Sequence, residues 1–598
     1  MHWADSIAKA LSHRGNDHVI ASGITPSGEF HIGHLREILT SDIIKRACLH
    51  QNPDANIQFV FFVDDADPLR KVYSFLDNSY EQFIGHQLAK IPPPDKNGAP
   101  DFERFNNGKG MSYADYFLEP FKQALEILGV EIDEYISNYQ AYKTGKFTDQ
   151  ARAACNQADQ IREIIERVSG RELDEDWFPW NPIDAEGCMD GITVTGWEDP
   201  IVHWKDSNGN TGQSDVTKGE GKLPWRIDWP AKWAWRKVTM EPFGKDHGAA
   251  GGSYDTGKEI VGLFDALPPY PTTYEWISLK GAGAMSSSTG VTIGPLESLR
   301  LVPPEIMRYL IARSQPKRHI DFDTGNALIE LADEYQRKMS NVHILPEHGA
   351  SKRQIKAHEV GVSQLVYSAV SSELGWAVKK FVSEVGQEKL ETSQQLKIAF
   401  ENLTKVSFRH LALIAQLREN DADVWGSLLR SGLIIDSQYH DYTEGMIVPD
   451  DIVNPDLSDN SSINLIVQSH VEAWNNLPLR LELMRNWIDS PHFPEGFRLR
   501  IQEEISDGAK ENIDSRDLQY IIELLQALSS CEWESGTINN HVCELAKQKS
   551  MSLRDTFELL YWIFLDQNFG PKLANILAEM SRDDVLNLLQ MAIDELSS

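Results

Sequence analysis

The chain has 598 residues, a length that favours about three or four domains. Hydrophobic residues make up 41% and charged residues 24%, a globular composition that excludes a disordered or fibrous chain. The 57 Lys and Arg residues stand against 89 Asp and Glu, so the net charge of −32 excludes a general binder of polyanions. Any nucleic acid must therefore bind at a local basic face, and such acidity more often serves solubility alone.

The cysteines and the apolar segments indicate where such a chain works. Five cysteines form neither a C-x-x-C pair nor a short disulfide framework, which indicates a reducing compartment. The first residues lack the apolar region of a secretory signal. Residues 57–63, the most apolar early stretch, are far fewer than the ~20 that a membrane span needs. We therefore expect a soluble cytoplasmic protein that binds neither a membrane nor DNA.

Two short apolar segments in the first third predict buried strands. Residues 19–23 run into a Pro-Ser-Gly turn and then a helix that begins near His31. Residues 57–63 end in a cluster of carboxylates that begins at Asp64. Strands that alternate with helices indicate a parallel sheet, and ligands of such sheets bind beyond the carboxyl ends of the strands. Both polar clusters lie at such an end.

The whole pattern predicts an α/β, Rossmann-like catalytic domain with an inserted domain, followed by an all-α region. The insertion is rich in Trp, Gly and Asp and is typical of small β-hairpins and loops. The predicted segments are the first half of the catalytic domain at 1–91, the insertion at 92–222, the second half at 223–298, and helical segments at 299–345 and 346–598. In the last helix, behind a cap at Ser581, one face carries Val585, Leu588, Leu589 and Ala592.

The most informative motif is PSGEFHIGH at 26–34, between the first strand and its helix. His31 and His34 are three residues apart on the first turn, so both rings can donate to an anion that the helix N-terminus already favours. Gly33 lacks a Cβ, so a flat ring can lie against the backbone there. Donors of this kind suit attack on the α-phosphate of ATP, where charge grows on phosphate oxygens. An H-x-x-H motif without other signals would favour two exposed histidines in a helix-capping turn. The preceding strand and the Pro-Ser-Gly turn favour nucleotide binding instead.

The motif resembles the class I synthetases that carry a HIGH signature, and among them the archaeal-type class I lysyl-tRNA synthetase family. Matching blocks occur in the family's order at 21–37, 64–71, 223–235, 241–260, 274–281 and 318–337, with a weaker one at 557–573. The resemblance implies a ligase that joins L-lysine to tRNA(Lys) through a lysyl-adenylate made from ATP, with Mg²⁺ accompanying the ATP. It also implies a stem-contact segment at 299–345 and an anticodon-binding region at 346–598.

The resemblance also implies the residues of two subsites. The ATP subsite comprises Pro26, Ser27, Gly28, His31, Gly33, His34, Gly251, Gly252, Met285, Ser286, Ser287 and Ser288. The lysine subsite comprises Gly23, Thr25, Trp225, His247 and Tyr274, to which we add two acidic residues of the matching blocks, Asp64 and Asp246. An aromatic wall with a few acceptors suits a lysine stem and its ammonium. The alternatives are a core position for Trp225, and for the aspartates a solvated turn or ion pairs with Arg70 or Lys71.

The second signature of the family departs from its usual form. Residues 284–290 read AMSSSTG where the family has a K-M-S-K-S-like loop, and both lysine positions are non-basic. One lost charge contact in a desolvated site costs about 2–4 kcal/mol. Lys280, four residues upstream, is our candidate for the catalytic cation that substitutes, and Lys245 is the second candidate. Alternatively, Lys280 merely ends a strand in solvent.

The altered loop leaves two further hypotheses open. The chain could be a synthetase-like protein that binds tRNA or a ligand without activating lysine, or a synthetase for another amino acid, glutamate first. The acidic residues at 64–67 disfavour an acidic substrate. No structural zinc is predicted, because the insertion offers only Cys188 and the distant Cys155. The acidic segment 421–459 should face away from RNA.

Overall fold

The chain forms two compact units, which are described separately. In this computed structural model the described residues are 1–107, 110–279, 283–284, 293–323, 325–342, 346, 349–371, 375, 378–379, 382, 406–444 and 477–597. The first unit comprises Met1–Phe322 with Ile344–Lys389, and the second comprises Asp323–His343 with Leu390–Ser598. Throughout these ranges, every helix is too short or too polar to cross a membrane.

The centre of the first unit is a parallel sheet. The strands, in chain order, are β1 (Asp17–Ile24), β2 (Asn56–Val63), β3 (Glu134–Ser137), β4 (Asn181–Pro182), β5 (Ile192–Glu198), β6 (Ile201–Asp206), β7 (Thr211–Asp215), β8 (Gly221–Lys222), β9 (Met240–Gly244), β10 (Tyr270–Tyr274), β11 (Ile277–Leu279), β12 (Gly283–Ala284) and β13 (Ile320–Phe322). Five of them form the parallel sheet in the order β10-β9-β1-β2-β3. The α/β prediction is therefore confirmed.

The strand order reverses between β1 and β9. From β1 the chain builds outward to β2 and β3, and it then returns to add β9 and β10 on the other side. In a doubly wound sheet, the carboxyl ends of the strands next to such a reversal form the crevice that binds ligands. The residues that follow β1, β2 and β9 therefore converge on one place.

The sequence of β2 explains why this strand lies in the middle of the sheet. All its residues except Asn56 and Gln58 are buried, as expected for a strand that is covered on both faces. It pairs with β1 in parallel, from Asp17 opposite Asn56 to Ile24 opposite Val63. This register places the turn after β1 beside the carboxylates after β2.

Helices cover the sheet and continue beyond it. They are α1 (Trp3–Ser12), α2 (Ile32–Gln51), α3 (Phe102–Asn106), α4 (Tyr113–Ile127), α5 (Asn138–Lys143), α6 (Thr148–Asn156), α7 (Ala158–Ser169), α8 (Trp225–Arg236), α9 (Ser253–Ile260), α10 (Pro295–Leu299), α11 (Pro304–Ala312), α12 (Asn326–Ser340, part of the second unit) and α13 (Lys352–Ser368). Helix α2 is buried along most of its length, and even Asp42 lies inside, held by Arg46 at 3.0 Å and Arg308 at 2.5 Å. The first turn of α2 therefore stands on a rigid support.

The predicted insertion at 92–222 contains one strand of the main sheet. Strand β3 pairs with β2, from Val60 opposite Glu134 to Val63 opposite Ser137. Only Ile136 of its four residues is buried, so β3 lacks the apolar run that announces β2 in the sequence. Further along, β5, β6 and β7 form an antiparallel sheet, as the expected hairpins require.

The described part of the second unit is helical. After α12 it contains α14 (Phe408–Leu417), α15 (Asp421–Arg430), α16 (Asp436–Thr443), α17 (Leu477–Asp489), α18 (Asp507–Asn512), α19 (Leu518–Ser530), α20 (Ser535–Gln548), α21 (Leu553–Leu565), α22 (Leu573–Glu579) and α23 (Arg582–Ser597). The expected face of α23 is buried, and the hydroxyl of Ser581 accepts from the N–H of Asp584 at 3.1 Å. The predictions of an all-α region and of this last helix are confirmed.

Candidate active site

The two motif histidines meet at the start of α2. Their ring centroids are 3.9 Å apart, and the main-chain N–H of His31 donates to Nδ1 of His34 at 3.1 Å. The N–H of Gly33 donates to Nδ1 of His31, also at 3.1 Å. On the other side, the ring of His34 contacts that of Phe30 edge to face at 5.2 Å, and Phe30 stacks on Phe121 at 4.3 Å. We call His31 and His34 the imidazole pair.

The protonation of the imidazole pair follows from its burial. Burial lowers the pKa of His31 to about 4, and burial together with the nearby His31 lowers the pKa of His34 to about 3. Both rings are therefore neutral near pH 7. Because each Nδ1 accepts a hydrogen bond, the single ring proton belongs on each Nε2. The pair thus offers two N–H donors without carrying a positive charge.

The main-chain N–H groups of the first turn are used within the protein. Besides the two N–H groups that donate to Nδ1 atoms, that of Ile32 donates to the carbonyl of Ile293 at 3.1 Å. The N–H of His34 donates to the carbonyl of His31 at 2.9 Å. The sequence predicts that the helix terminus attracts an anion together with the histidines. The donors that this turn leaves for a ligand are instead the two Nε2–H groups.

The turn that leads into α2 is held from several sides. Pro26 and Gly28 are buried, and the N–H of Ser27 donates to the carbonyl of Thr25 at 2.8 Å. The hydroxyl of Tyr113 donates to the carbonyl of Ser27, also at 2.8 Å. These contacts fix the main chain, so the Pro-Ser-Gly residues shape the site through backbone geometry.

Glu37 is a site residue that sequence reasoning missed. It lies one turn after His34, on the same face of α2. Its carboxylate accepts hydrogen bonds from the hydroxyl of Ser22 at 2.5 Å, the N–H of Gly23 at 3.1 Å and the hydroxyl of Tyr274 at 2.7 Å. Burial raises its pKa, and within the described residues no cation pairs with it. The only feature of the sequence that could have indicated Glu37 is its spacing of three residues from His34, which places both on one face of α2.

The predicted lysine-binding residue Asp64 belongs to a buried ion-pair network. Asp64 and Asp228 both pair with Lys232, the latter at 2.8 Å, and all three side chains are at most 7% exposed. Asn138 donates to Asp64 at 3.2 Å, and the hydroxyl of Tyr142 donates to Asp228 at 2.5 Å. The charge of Asp64 is therefore compensated within the protein. We call Asp64, Asp228 and Lys232 the ion-pair network.

Asp67, three residues further, forms a second buried pair. Its carboxylate pairs with Lys222 and also accepts from the hydroxyl of Thr25 at 3.0 Å. The cations that meet the aspartates after β2 therefore come from β8 and α8. Arg70 and Lys71, which the sequence offered as an alternative, are exposed. Because the Thr25 hydroxyl donates its proton to Asp67, its oxygen can accept from a ligand.

Three aromatic rings pack together where α8, the helix that carries Lys232, begins. The ring of Trp225 stacks on that of Trp229 at 5.4 Å and 21°. The ring of His247 lies 5.0 Å from Trp225 and 5.8 Å from Trp229. Burial lowers the pKa of His247, whereas its neighbour Asp246 is exposed. We call Trp225, Trp229 and His247 the aromatic wall, and Trp229 is its member that sequence reasoning did not name.

Gly251 and Gly252, which the family resemblance places in the ATP subsite, lie where a side chain would not fit. Gly251 has a φ of +72°, and a Cβ there would come 2.8 Å from the carbonyl of Val168 at the end of α7. A Cβ at Gly252 would come 2.6 Å from the carbonyl of His247. Packing within the protein already requires both glycines, and their approach to an adenosine stays a prediction.

The residues of the second signature fall outside the described part of the chain. This applies to Lys280, Met285, Ser286, Ser287 and Ser288. The second candidate cation, Lys245, is engaged, since it pairs with Glu275 at 2.9 Å and lies 4.8 Å from the ring centroid of Trp276. The described ranges contain no group of three or more His, Cys, Asp or Glu side chains arranged to hold a metal ion.

Two kinds of polar group therefore follow the strands beside the reversal of the sheet. They are the neutral imidazole pair after β1 and the carboxylates after β2 with their lysine partners. An arrangement of this kind, at the carboxyl ends of strands in a doubly wound sheet, is typical of α/β proteins that bind nucleotides.

Comparison with known proteins gives the family. Residues 1–365 match a family model described as tRNA synthetases class I (K). The lysine–tRNA ligase of Picrophilus torridus is 33% identical over 597 residues and covers 100% of both chains. That of Archaeoglobus fulgidus is 32% identical and covers 99% of this chain and 100% of its own. That of Methanosarcina barkeri is 45% identical over 341 residues, 56% of this chain and 60% of its own. The chain belongs to this class I family of tRNA synthetases, which confirms the resemblance.

Proposed function

We propose that the protein joins L-lysine to tRNA(Lys) in two steps that consume ATP. An oxygen of the lysine carboxylate attacks the α-phosphorus of ATP, and the bond from this phosphorus to the β-phosphate group breaks. The products of this step are lysyl-adenylate and pyrophosphate. The terminal ribose hydroxyl of the tRNA then attacks the carbonyl carbon and releases AMP. The relatives that align over the whole chain carry the name lysine–tRNA ligase, which supports this proposal.

The observation that carries the choice of lysine is the half-buried carboxylate of Glu37. It accepts neutral hydrogen bonds from Ser22, Gly23 and Tyr274 and has a pKa that burial raises. A buried carboxylate without a cation is costly, and an ammonium ion that arrives with the substrate compensates it. We assign to Glu37 the recognition of the ε-ammonium. Asp64, which the sequence predicts in the lysine subsite, is paired with Lys232 instead.

The remaining lysine contacts follow from the neighbours of Glu37. The oxygen of Thr25 and the main chain of Gly23 lie at the end of β1, where they can accept from the α-ammonium. The aromatic wall, with Trp225 and His247, covers the methylene groups. Asp64 acts indirectly here, by fixing Lys232 and through it the base of the site.

The imidazole pair performs the phosphate chemistry in this proposal. Its two Nε2–H groups donate to oxygens of the ATP phosphates as negative charge grows during attack on the α-phosphorus. Because the rings are already oriented through their Nδ1 atoms, this stabilisation requires no reorganisation. No covalent intermediate on the protein is needed, since positioning of the two reactants supplies much of the rate.

The other ATP contacts remain proposals from the family resemblance. Gly251 and Gly252 would border the adenosine, the serines at 286–288 would close over the pyrophosphate, and Lys280 would supply the missing positive charge. Mg²⁺ would enter with ATP, held mainly by phosphate oxygens and water. The helical region from residue 346 would read the anticodon, where unstacked bases can be recognised singly. We also propose a cytoplasmic location.

The rival hypotheses gain no support. The hypothesis of a protein that binds tRNA without activating lysine rests on the loop at 284–290, and the names of the full-length relatives do not favour it. A preference for glutamate conflicts with the half-buried carboxylate of Glu37, which would repel an acidic side chain.

The test is ATP–pyrophosphate exchange with each of the common amino acids, followed by aminoacylation of tRNA(Lys). We expect exchange that depends on lysine, with glutamate at background. Exchange with glutamate alone would indicate a glutamate-specific synthetase. Binding of tRNA without exchange for any amino acid would indicate a protein that binds tRNA but does not activate lysine.

A further inference from the structure

Glu241 is a buried carboxylate that the steps above do not use. It lies on β9, next to the reversal of the sheet, and is 5% exposed. The indole Nε1–H of Trp233 donates to it at 2.5 Å, and the side chain of Trp229 also forms a hydrogen bond to it. The two tryptophans are four residues apart on α8, so one carboxylate holds two rings on adjacent turns.

The aromatic wall depends on this contact. Trp229 contacts both other members of the wall. Its ring stacks on that of Trp225 with the centroids 5.4 Å apart, and its centroid lies 5.8 Å from that of His247. Trp233 packs on Trp229 from behind, at 4.7 Å. A carboxylate that fixes Trp229 and Trp233 therefore fixes the orientation of the wall that, in the proposed function, covers the lysine methylene groups.

Glu241 is also a charge without a dedicated counter-ion in the described ranges. The charged and titratable groups that face it are Glu37 on α2, Lys232 on α8 and Tyr274 on β10. Lys232 is shared with Asp64 and Asp228. Burial raises the pKa of Glu241 to about 7, the indole hydrogen bonds lower it, and Glu37 raises it. Near neutral pH the carboxyl is thus partly protonated.

We propose that Glu241 is a positioning residue that orients the aromatic wall and becomes ionised when an amino acid with a second ammonium group binds. The ammonium joins Glu37 and stabilises the ionised form of the neighbouring Glu241, whose proton passes to solvent. This inference rests on the proposed function, because it names the charge class of the substrate at the same site.

The first test separates positioning from charge with two variants. In Glu241→Ala the indoles lose their acceptor, and we expect the KM for lysine in the exchange assay to rise about 10-fold, with a smaller change in kcat. Glu241→Gln keeps an acceptor oxygen but cannot ionise. We expect it to rescue most of the KM and to abolish the fall of the KM between about pH 6 and about pH 8 that the wild type shows. Glu259→Gln, an exposed residue on α9, is the matched control and should behave as wild type.

A second measurement needs no substrate, so it separates failure of this inference from failure of the proposed function. A protonated carboxyl group quenches a hydrogen-bonded indole more strongly than a carboxylate does. Tryptophan fluorescence of the wild type should therefore rise with pH around a midpoint near 7, and the rise should be missing in Glu241→Gln. Identical titrations of the two proteins, or an unchanged pH dependence of the lysine KM in the variant, would overturn the inference. Lysine-independent exchange with a normal fluorescence difference would overturn the proposed function alone.

Discussion

The main-chain N–H of His31 donates to the Nδ1 atom of His34 at 3.1 Å, which links the two histidines before any ligand arrives. The N–H of Gly33 engages Nδ1 of His31 in the same way. Both protons of the neutral pair are therefore directed to the Nε2 atoms. The main-chain amides of this turn are used internally, so the Nε2–H groups of the two imidazoles are the donors that the turn leaves for a ligand.

The imidazole pair can be tested by substitution. We expect His34→Ala to lower kcat for ATP–pyrophosphate exchange by about 100- to 1000-fold, because one preorganised donor to the phosphate is lost. His34→Gln keeps an N–H near the Nε2 position and should lose less. His13→Ala, an exposed histidine after α1, is the control. Undiminished exchange in the His31→Ala, His34→Ala double variant would refute the phosphate role.

The low pKa of His34 predicts an effect on stability at acid pH. A histidine in the unfolded chain titrates near 6.5, whereas burial lowers the folded pKa of His34 to about 3. Between these two pKa values the unfolded state binds a proton that the folded state does not bind. Lowering the pH to 5 therefore lowers the free energy of unfolding by about 2 kcal/mol. Urea unfolding of His34→Gln should lose about 2 kcal/mol less than the wild type between about pH 7 and about pH 5.

A control is needed because buried carboxylates such as Glu241 act in the opposite sense. Their pKa is higher in the folded than in the unfolded state, so their contribution to the free energy of unfolding is lost as the pH increases. The quantity to compare is thus the difference between wild type and variant, with His13→Gln as reference. Equal losses in all three proteins would contradict the neutral, buried state of His34.

The role of Glu37 predicts a separation of two Michaelis constants. Glu37→Gln retains the shape of the side chain but loses its charge, and a hydrogen bond to a charged group is worth about 1.5–3 kcal/mol. We expect the KM for lysine in the exchange assay to rise about 10- to 100-fold, while the KM for ATP stays the same. An unchanged lysine KM would remove Glu37 from the substrate site.

The ion-pair network predicts a large stability effect. Lys232→Met leaves Asp64 and Asp228 buried without their cation, and breaking a buried pair in this way costs about 3–5 kcal/mol. The matched control is Lys258→Met, which removes the partially exposed pair with Asp255 and should cost less than about 1 kcal/mol. Thermal or urea unfolding measures both. Similar losses in the two variants would show that the network is not stabilised as its burial implies.

The two candidate cations can be ranked by substitution. Lys245 is already paired with Glu275 at 2.9 Å, so we expect Lys245→Ala to slow exchange only modestly. Lys280→Ala should lower kcat by about 30- to 1000-fold, the effect of losing one charge contact to the triphosphate. Lys317→Ala, an exposed lysine, serves as reference. The opposite ranking would assign the substitute charge to Lys245.

The sequence by itself determined the features that depend on neighbours along the chain. The apolar runs predicted β1 and β2, the Pro-Ser-Gly turn predicted the start of α2, and the three-residue spacing put His31 and His34 on one face. These are local properties, since strand burial, turn chemistry and helical period are all set within a few residues. The position of the site followed from them, because parallel strands end at the same edge of the sheet.

Only the tertiary structure decided which charges meet. Lys222 and Lys232 lie 155 and 168 residues after the aspartates with which they pair, whereas the partners that the sequence offered as an alternative were the nearby Arg70 and Lys71. The contacts of Glu37 with Ser22 on β1 and Tyr274 on β10 likewise require the order β10-β9-β1. Long-range pairing depends on which strands become neighbours and on which groups are buried together, and periodicity along a single chain carries no record of either.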